Sequence, residues 1–377
     1  MMRRRAFVAA IAIVACFLGC FASVAAAATR DVKVLVPDAD NLQYTSFWLA
    51  KGAGYFAEEG VDVTLVIPKT PQETRGYFER GEASVAVLPP PVYLELVAAK
   101  FPLVLVCNLL QNDPINLVVR GSVWDERKLS RDVPVKDRLL AIRGLKVGVA
   151  PHPPSRLRAM YAAYGLDADH DIEMKIFHGK EQNDAFARGD VDALFAHTPY
   201  VEHALLDQGA RLLVDVSGGE VPVLANRQIH ALVFTRALLE GSPETAKAMA
   251  RAIARAQALI HRDRAAATTA LGRELPGLDA LHIRAIVDLY APAIPATPVV
   301  SADGFATALL FFPSGRPAPS LAGQDLSHYV APEIAREAGA PPSPFGRMKW
   351  IAYAFAAVVL ASWLLARGRR RGSPRQM

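Results

Sequence analysis

Short apolar runs separated by longer segments of helical period recur from residue 31 to beyond residue 235, and no other feature limits the fold so strongly. VKVLVP (32–37), VDVTLVI (61–67), ASVAVL (83–88), KVGVA (146–150), ALFA (193–196) and QIHALVFT (228–235) each read as strands. Segments 44–59, 71–80, 91–100, 155–164, 182–188 and 199–208 read as helices, several with a glycine just past the end, where a left-handed residue stops a helix. Alternating strands and helices make βα units, and such units build a mainly parallel α/β sheet. Runs 103–110, 172–177 and 211–216 add strands. Residues 243–262 add a long alanine-rich helix, and 265–274, 278–290, 302–310 and 329–338 add shorter ones. Residues 121–138 (GSVWDERKLSRDVPVKDR) are polar and aperiodic and read as a surface excursion. With 377 residues, 52% of them hydrophobic, the chain has a core to bury, and since one core seldom grows past about 250–300 residues its length fits two domains or one large one.

The two ends carry a different signal. Residues 1–28 have a basic start (Arg3, Arg4, Arg5), an apolar run over 6–22 and small residues up to Ala28, the pattern of a cleaved secretory signal. Cys16 and Cys20 leave lipoprotein-type processing as the alternative. After the spacer APPSP at 340–344, within a linker over 341–349, residues 350–366 (WIAYAFAAVVLASWLLA) run uncharged for a length that just spans a hydrocarbon core. The arginine-rich tail 367–377 follows, which by the positive-inside rule is cytoplasmic. The expected location is therefore the inner membrane, single-pass, with the intervening part in the periplasm. The net charge of +5 resides in these ends. Three arginines lie in 1–28, and six arginines and one lysine in 347–377, leaving 32 basic against 37 acidic residues between them. A nucleic-acid partner is not expected from that balance. With the signal removed, Cys107 remains as a lone thiol in an apolar run, which excludes an intramolecular disulfide.

FWLAKGAGYFAEEGVDVTLV (47–66), GEASVAVLPPPVYLELVAAKFPLVLVCNL (81–109), GLKVGVA (144–150), DVDALFAHTPYVEHALLDQGARLLVD (190–215) and SPETAKAMARAIARA (242–256) occur in that order. Over about residues 31–340 the chain resembles the periplasmic substrate-binding proteins of nitrate, sulfonate, taurine and thiamine-pyrimidine ABC importers. The resemblance implies a two-lobed type II periplasmic binding protein fold, followed here by the C-terminal transmembrane helix. Residues 31–115 and 225–340 would form lobe one and 116–224 lobe two, with crossovers near 111–116 and 221–226. It further implies a small-molecule solute as ligand, and an ABC permease with its ATPase as partners. A sensory ectodomain reporting such a ligand to a partner membrane protein is the alternative function.

In open α/β sheets ligands sit beyond the carboxyl ends of strands, where loops meet helix N-termini. Those loops supply Asn41, Gln43 and Tyr44 after the first strand, Lys69 and Thr70 after the second, and Pro90 after the third. They also supply His152, Ser155 and Arg156 after KVGVA, His178 after 172–177, and His197 and Tyr200 after ALFA. Thr70 and Ser155 equally suit helix caps. Pro68-Lys69-Thr70-Pro71 replaces the glycine-rich loop of many relatives and offers fewer backbone N–H donors to an oxyanion. His197-Thr198-Pro199 stands where the family often carries Trp, Asp or Glu, leaving small organic anions and pyrimidine-like heterocycles both open. The relatives that are thiamine-pyrimidine synthases carry a cysteine-rich motif that is absent here. Nucleophile-elbow, Ser-x-x-Lys, Cys-x-x-Cys and metal-spaced His/Glu motifs are also absent. The expectation is a binding protein rather than an enzyme, with no cofactor and no metal.

Overall fold

Ten strands organise the described residues of the computed structural model, which are 29–37, 42–151, 153–311 and 320–339. They are β1 (Arg30–Leu35), β2 (Val61–Val66), β3 (Val85–Leu88), β4 (Leu103–Asn108), β5 (Asn116–Arg120), β6 (Lys146–Val149), β7 (Glu173–Ile176), β8 (Ala193–Ala196), β9 (Ala210–Val214) and β10 (Ala231–Thr235). The signal segment 1–28, the linker 341–349, the span 350–366, the tail 367–377, Asn41 and His152 lie outside the described residues. No helix among the described residues is long and apolar enough to cross a membrane.

One sheet has the order β2-β1-β3-β10-β4 and the other β7-β6-β8-β5-β9. Each is parallel except for one inserted strand. β10 runs antiparallel to β3 and β4, and β5 antiparallel to β8 and β9. Both inserted strands are those the chain enters on passing from one sheet to the other, so the two sheets repeat one plan. Position in the sheet follows composition: β3 (VAVL) and β10 (ALVFT) are buried on both faces at the centre. β2 and β7, at the edges, alternate with charge and stay partly exposed.

Helices α1 (Thr45–Gly52), α2 (Pro71–Glu79), α3 (Pro90–Ala98), α4 (Pro154–Ala163), α5 (Glu181–Arg188), α6 (Tyr200–Asp207), α7 (Pro243–Arg262), α8 (Arg264–Glu274) and α9 (Ala280–Tyr290) cover the sheets. Pro71, Pro90, Pro154 and Pro243 each occupy a first-turn position, where the missing N–H has no partner to lose. α7 buries Met249, Ile253 and Ile260 together with alanines 246, 250 and 256, a stripe of period 3–4 in which small residues allow close approach. Cys107 is a buried free thiol of the first core, and burial pushes its pKa up.

Two expectations are corrected. Residues 121–138 are not a plain surface excursion: Gly121–Glu126 and the start of Val135–Ala141 are helical, with Val123, Val135 and Arg138 buried. The Arg138 guanidinium reaches Leu213 O at 2.6 Å and Glu220 Oε2 at 3.0 Å, so a charged residue serves the interior there. The single helix expected over 44–59 breaks at Gly54, whose φ of +77° is left-handed, and resumes at Tyr55.

Candidate ligand cleft

The first sheet contributes Gln43 and Tyr44, held in a buried 3-10 turn just before α1. Thr45 Oγ1 donates to Leu42 O and closes that turn. The Tyr44 ring meets His230, which immediately precedes β10, edge to face with centroids 5.0 Å apart. The second sheet contributes Arg156 from the first turn of α4 and His197 from the loop after β8. His197 packs its ring edge-on to Tyr200 at 5.2 Å, and its Nδ1 lies 2.6 Å from Thr198 O. Arg156 Nε stands 3.6 Å from Asp113 Oδ2 in the crossover between β4 and β5, and its guanidinium lies over the Phe311 ring.

The charge of Arg156 bears on both His197 and His230, which joins residues of the two sheets in one electrostatic unit. Burial, reinforced by Arg156, lowers the His197 pKa to about 4. Burial, then Arg156 and His197, lowers that of His230 to about 3. Both imidazoles are therefore neutral near pH 7, each with one donor and one acceptor nitrogen. Asp113 is fully buried, and burial raises its pKa to about 6 against the opposing pull of Arg156. Asp113 Oδ1 accepts from Ile115 N at 3.2 Å, which fixes the carboxylate in the crossover.

A cavity of about 780 Å³ adjoins this cluster, within the range of small-molecule sites. Tyr200 belongs to both, and Leu42, Trp48, Lys180 and Asn183 line the cavity with it. Trp48, which also lines the cavity, is 4% exposed, and its buried indole N–H has no hydrogen-bond partner among the described residues.

Of the residues singled out from sequence, Tyr44, Arg156, His197 and Tyr200 come together in this cluster, with Gln43 in the same turn as Tyr44. Ser155 is half-buried beside Arg156, at the second position of α4. Pro90 is buried in the first turn of α3. Lys69 and Thr70 are exposed and occupied locally. Thr70 Oγ1 accepts from Glu73 N at 3.0 Å and so caps α2, while Glu73 Oε2 accepts from Lys69 N, of the residue before the cap, at 2.7 Å. His178 is exposed, its backbone N–H donating to Glu181 at 3.2 Å. Sequence reasoning missed Asp113, Trp48 and His230. Asp113 left a signal, a carboxylate in the otherwise apolar and amide-rich passage 109–116, whereas Trp48 and His230 lie within helix and strand patterns that suggest only core.

A family model described as the NMT1-like family matches residues 39–271, more than half of the chain. The 4-amino-5-hydroxymethyl-2-methylpyrimidine phosphate synthase of Aspergillus parasiticus is 25% identical over 151 residues, 40% of this chain and 41% of that protein. The chain thus matches about two fifths of that relative's length. Among solved structures, the alkanesulfonate-binding protein SsuA from Xanthomonas axonopodis pv. citri, bound to MOPS, is similar with a TM-score of 0.54. Identity is 18%, over 81% of this chain and 99% of that one. The periplasmic nitrate-binding protein NrtA from Synechocystis PCC 6803 gives a TM-score of 0.54 at 14% identity, over 83% and 88% of the two chains. The desulfurization enzyme DszB gives 0.53 at 14% identity, over 82% and 98%. At these identities the likeness concerns the fold, a mixed α/β two-sheet arrangement like that of type II periplasmic binding proteins.

Proposed function

The chain belongs to the NMT1-like family, and from that membership and the geometry of the cleft we propose that it is a membrane-tethered, extracytoplasmic solute-binding protein. Residues 31–115 with 225–340 form one lobe in this reading and 116–224 the other. The solute is held between them and delivered to an ABC permease and its ATPase. The segment 1–28 directs export, and 350–366 keeps the binding unit beside its permease, where tethering raises its effective concentration. One observation carries the reading: His230 of the first sheet, packed against Tyr44, lies within electrostatic reach of Arg156 and His197 of the second, and Tyr200, packed on His197, lines a cavity of ligand size.

The chemistry of that point favours a planar heterocycle over a strong anion. Both histidines are neutral, and the nearby cation Arg156 already faces Asp113. Neutral imidazole and phenol rings supply stacking faces and paired donor–acceptor edges, which suit pyrimidine-like rings. The pyrimidine phosphate synthase among the relatives is in keeping with such a ligand and also marks the enzymatic alternative.

The test is a thermal-shift screen of the full-length protein, stripped of carried-over ligand, against pyrimidines, flavins, aromatic acids, sulfonates, nitrate and bicarbonate. A ligand at 100 times its Kd adds about 2.7 kcal/mol to the folded state, enough to move the transition. A shift with pyrimidines and no chemical change of the ligand on prolonged incubation is the expected result. Conversion of the ligand would establish an enzyme. No shift with any class would remove the solute-binding reading in this form.

A further inference from the structure

Outside the ligand cluster, three side chains distant in sequence converge on one point. His203 and Asp207 sit one turn apart on α6, and His282 lies in the first turn of α9. His203 Nδ1 and His282 Nε2 approach the same oxygen, Asp207 Oδ2, at 2.8 and 3.0 Å. One ligand atom from each residue lies within 4.8 Å of the other two. For a zinc ion with bonds near 2.0–2.2 Å, tetrahedral ligand atoms are about 3.3 Å apart, so small side-chain adjustments bring this triangle to metal-binding size.

The surroundings are those of a metal ligand set. His282 is 9% exposed, and its second nitrogen, Nδ1, lies 2.9 Å from Asp279 Oδ1. A carboxylate on the far nitrogen is the usual device that fixes the tautomer and aim of a metal-bound histidine. Asp279 is itself immobilised, because the same oxygen accepts from the backbone N–H groups of Leu281 and His282 at the start of α9, each at 2.9 Å. Two imidazoles and one carboxylate suit zinc and neighbouring transition metals, not the all-oxygen preference of calcium or magnesium. His203 and Asp207 also border the large cavity.

We propose that His203, Asp207 and His282 form a divalent transition-metal site, of zinc type, that fastens α6 of the second-sheet half to α9 of the first. Sequence inspection misses it because 75 residues separate Asp207 from His282, and His203 and Asp207 alone make an ordinary i, i+4 pair. A metal here links the two halves that a bound solute also links, so it biases them toward the arrangement described. The proposal does not depend on what the cleft binds.

The test is calorimetric titration of the tag-free, full-length protein with Zn2+ after chelator treatment, repeated in buffers of different ionisation enthalpy. One Zn2+ per chain, proton release on binding and a raised melting temperature are expected. So is the intense visible band of tetrahedral Co2+ when that ion is substituted. His203→Ala, a half-exposed position, and His282→Ala are each expected to weaken binding at least 10-fold. Asp279→Asn retains a good helix cap yet loses the orienting carboxylate, and is expected to weaken binding by about 10-fold. Absence of stoichiometric Zn2+ binding, or binding that both His203→Ala and His282→Ala leave intact, would overturn the site. In those cases the three residues form a hydrogen-bonded bridge only. Solute binding measured with and without chelator separates this outcome from failure of the proposed transport function.

Discussion

At Asp113 burial and charge pull in opposite directions, and burial prevails: the carboxyl is fully buried and its pKa is raised to about 6 despite Arg156 at 3.6 Å. An acid with a folded pKa above its unfolded value binds protons more tightly when folded. Its contribution to stability is therefore complete below pH 4 and declines as pH rises through 6. A shift from 3.8 to about 6 corresponds to about 3 kcal/mol. Asp113→Asn is expected to remove that decline, seen as a flatter dependence of urea-unfolding free energy on pH between 4 and 6. An unchanged slope would show that Asp113 titrates as an ordinary carboxylate. His230 has the opposite sign, because its folded pKa near 3 lies below the unfolded 6.5. Its neutral form costs nothing above pH 6.5, and stability is lost progressively as pH falls from there toward 3. His230→Gln is expected to make the protein less acid-sensitive below pH 6.5, and equal acid sensitivity of variant and wild type would contradict the buried neutral imidazole.

Among the elements, α1 approaches α8 so closely at Gly52 that there is no room for a side chain. A Cβ on Gly52 would lie 2.0 Å from the Ala270 carbonyl oxygen, a backbone atom that cannot rotate away. Gly52→Ala is expected to destabilise by about 1–3 kcal/mol in urea unfolding, the usual range for overpacking. A second change, Ala270→Gly, should restore nothing, because the obstacle is backbone; rescue would show that the side chain sets the spacing. The sequence made the elements legible where one period dominates: ALFA at 193–196 is strand β8, and Pro243–Arg262 is a helix end to end. It hid them where polar residues are interior. Arg138 is buried on carbonyl and carboxylate partners, so its helix looked like surface. The antiparallel insertion of β5 and β10 was equally hidden, since strand direction depends on where the chain crosses between sheets and not on the strand's own residues. The cleft divides along the same line. Loops after parallel strands pointed to Tyr44, Arg156 and His197, while His230 and Asp113 acquire their roles only when the crossovers bring the two halves together.

At the scale of the whole chain, those crossovers are stitched to each other and to the segment after α9. Asn112 Nδ2 donates to Ser217 O at 2.9 Å and to Pro292 O at 3.2 Å, while its Oδ1 accepts from Asn226 N at 3.2 Å. Asn116 and Ser217 exchange a second pair, Asn116 Nδ2 to Ser217 Oγ at 2.9 Å and Ser217 N to Asn116 Oδ1 at 3.0 Å. A single buried amide thus ties the outgoing crossover, the returning one and the chain beyond α9. Asn112→Asp keeps the shape but removes both donors and sets a carboxylate against two carbonyls. Unmet buried groups cost about 1–3 kcal/mol each, more when charged, so a loss of about 3 kcal/mol or more is expected. Asn112→Ala, which removes the amide without adding charge, should cost less. Because the stitch belongs to both halves, hydrogen exchange in Asn112→Asp should accelerate in β4 and β9 together. Acceleration confined to one sheet would mean that the halves open independently, and that the crossovers connect them through the chain without coupling their stability.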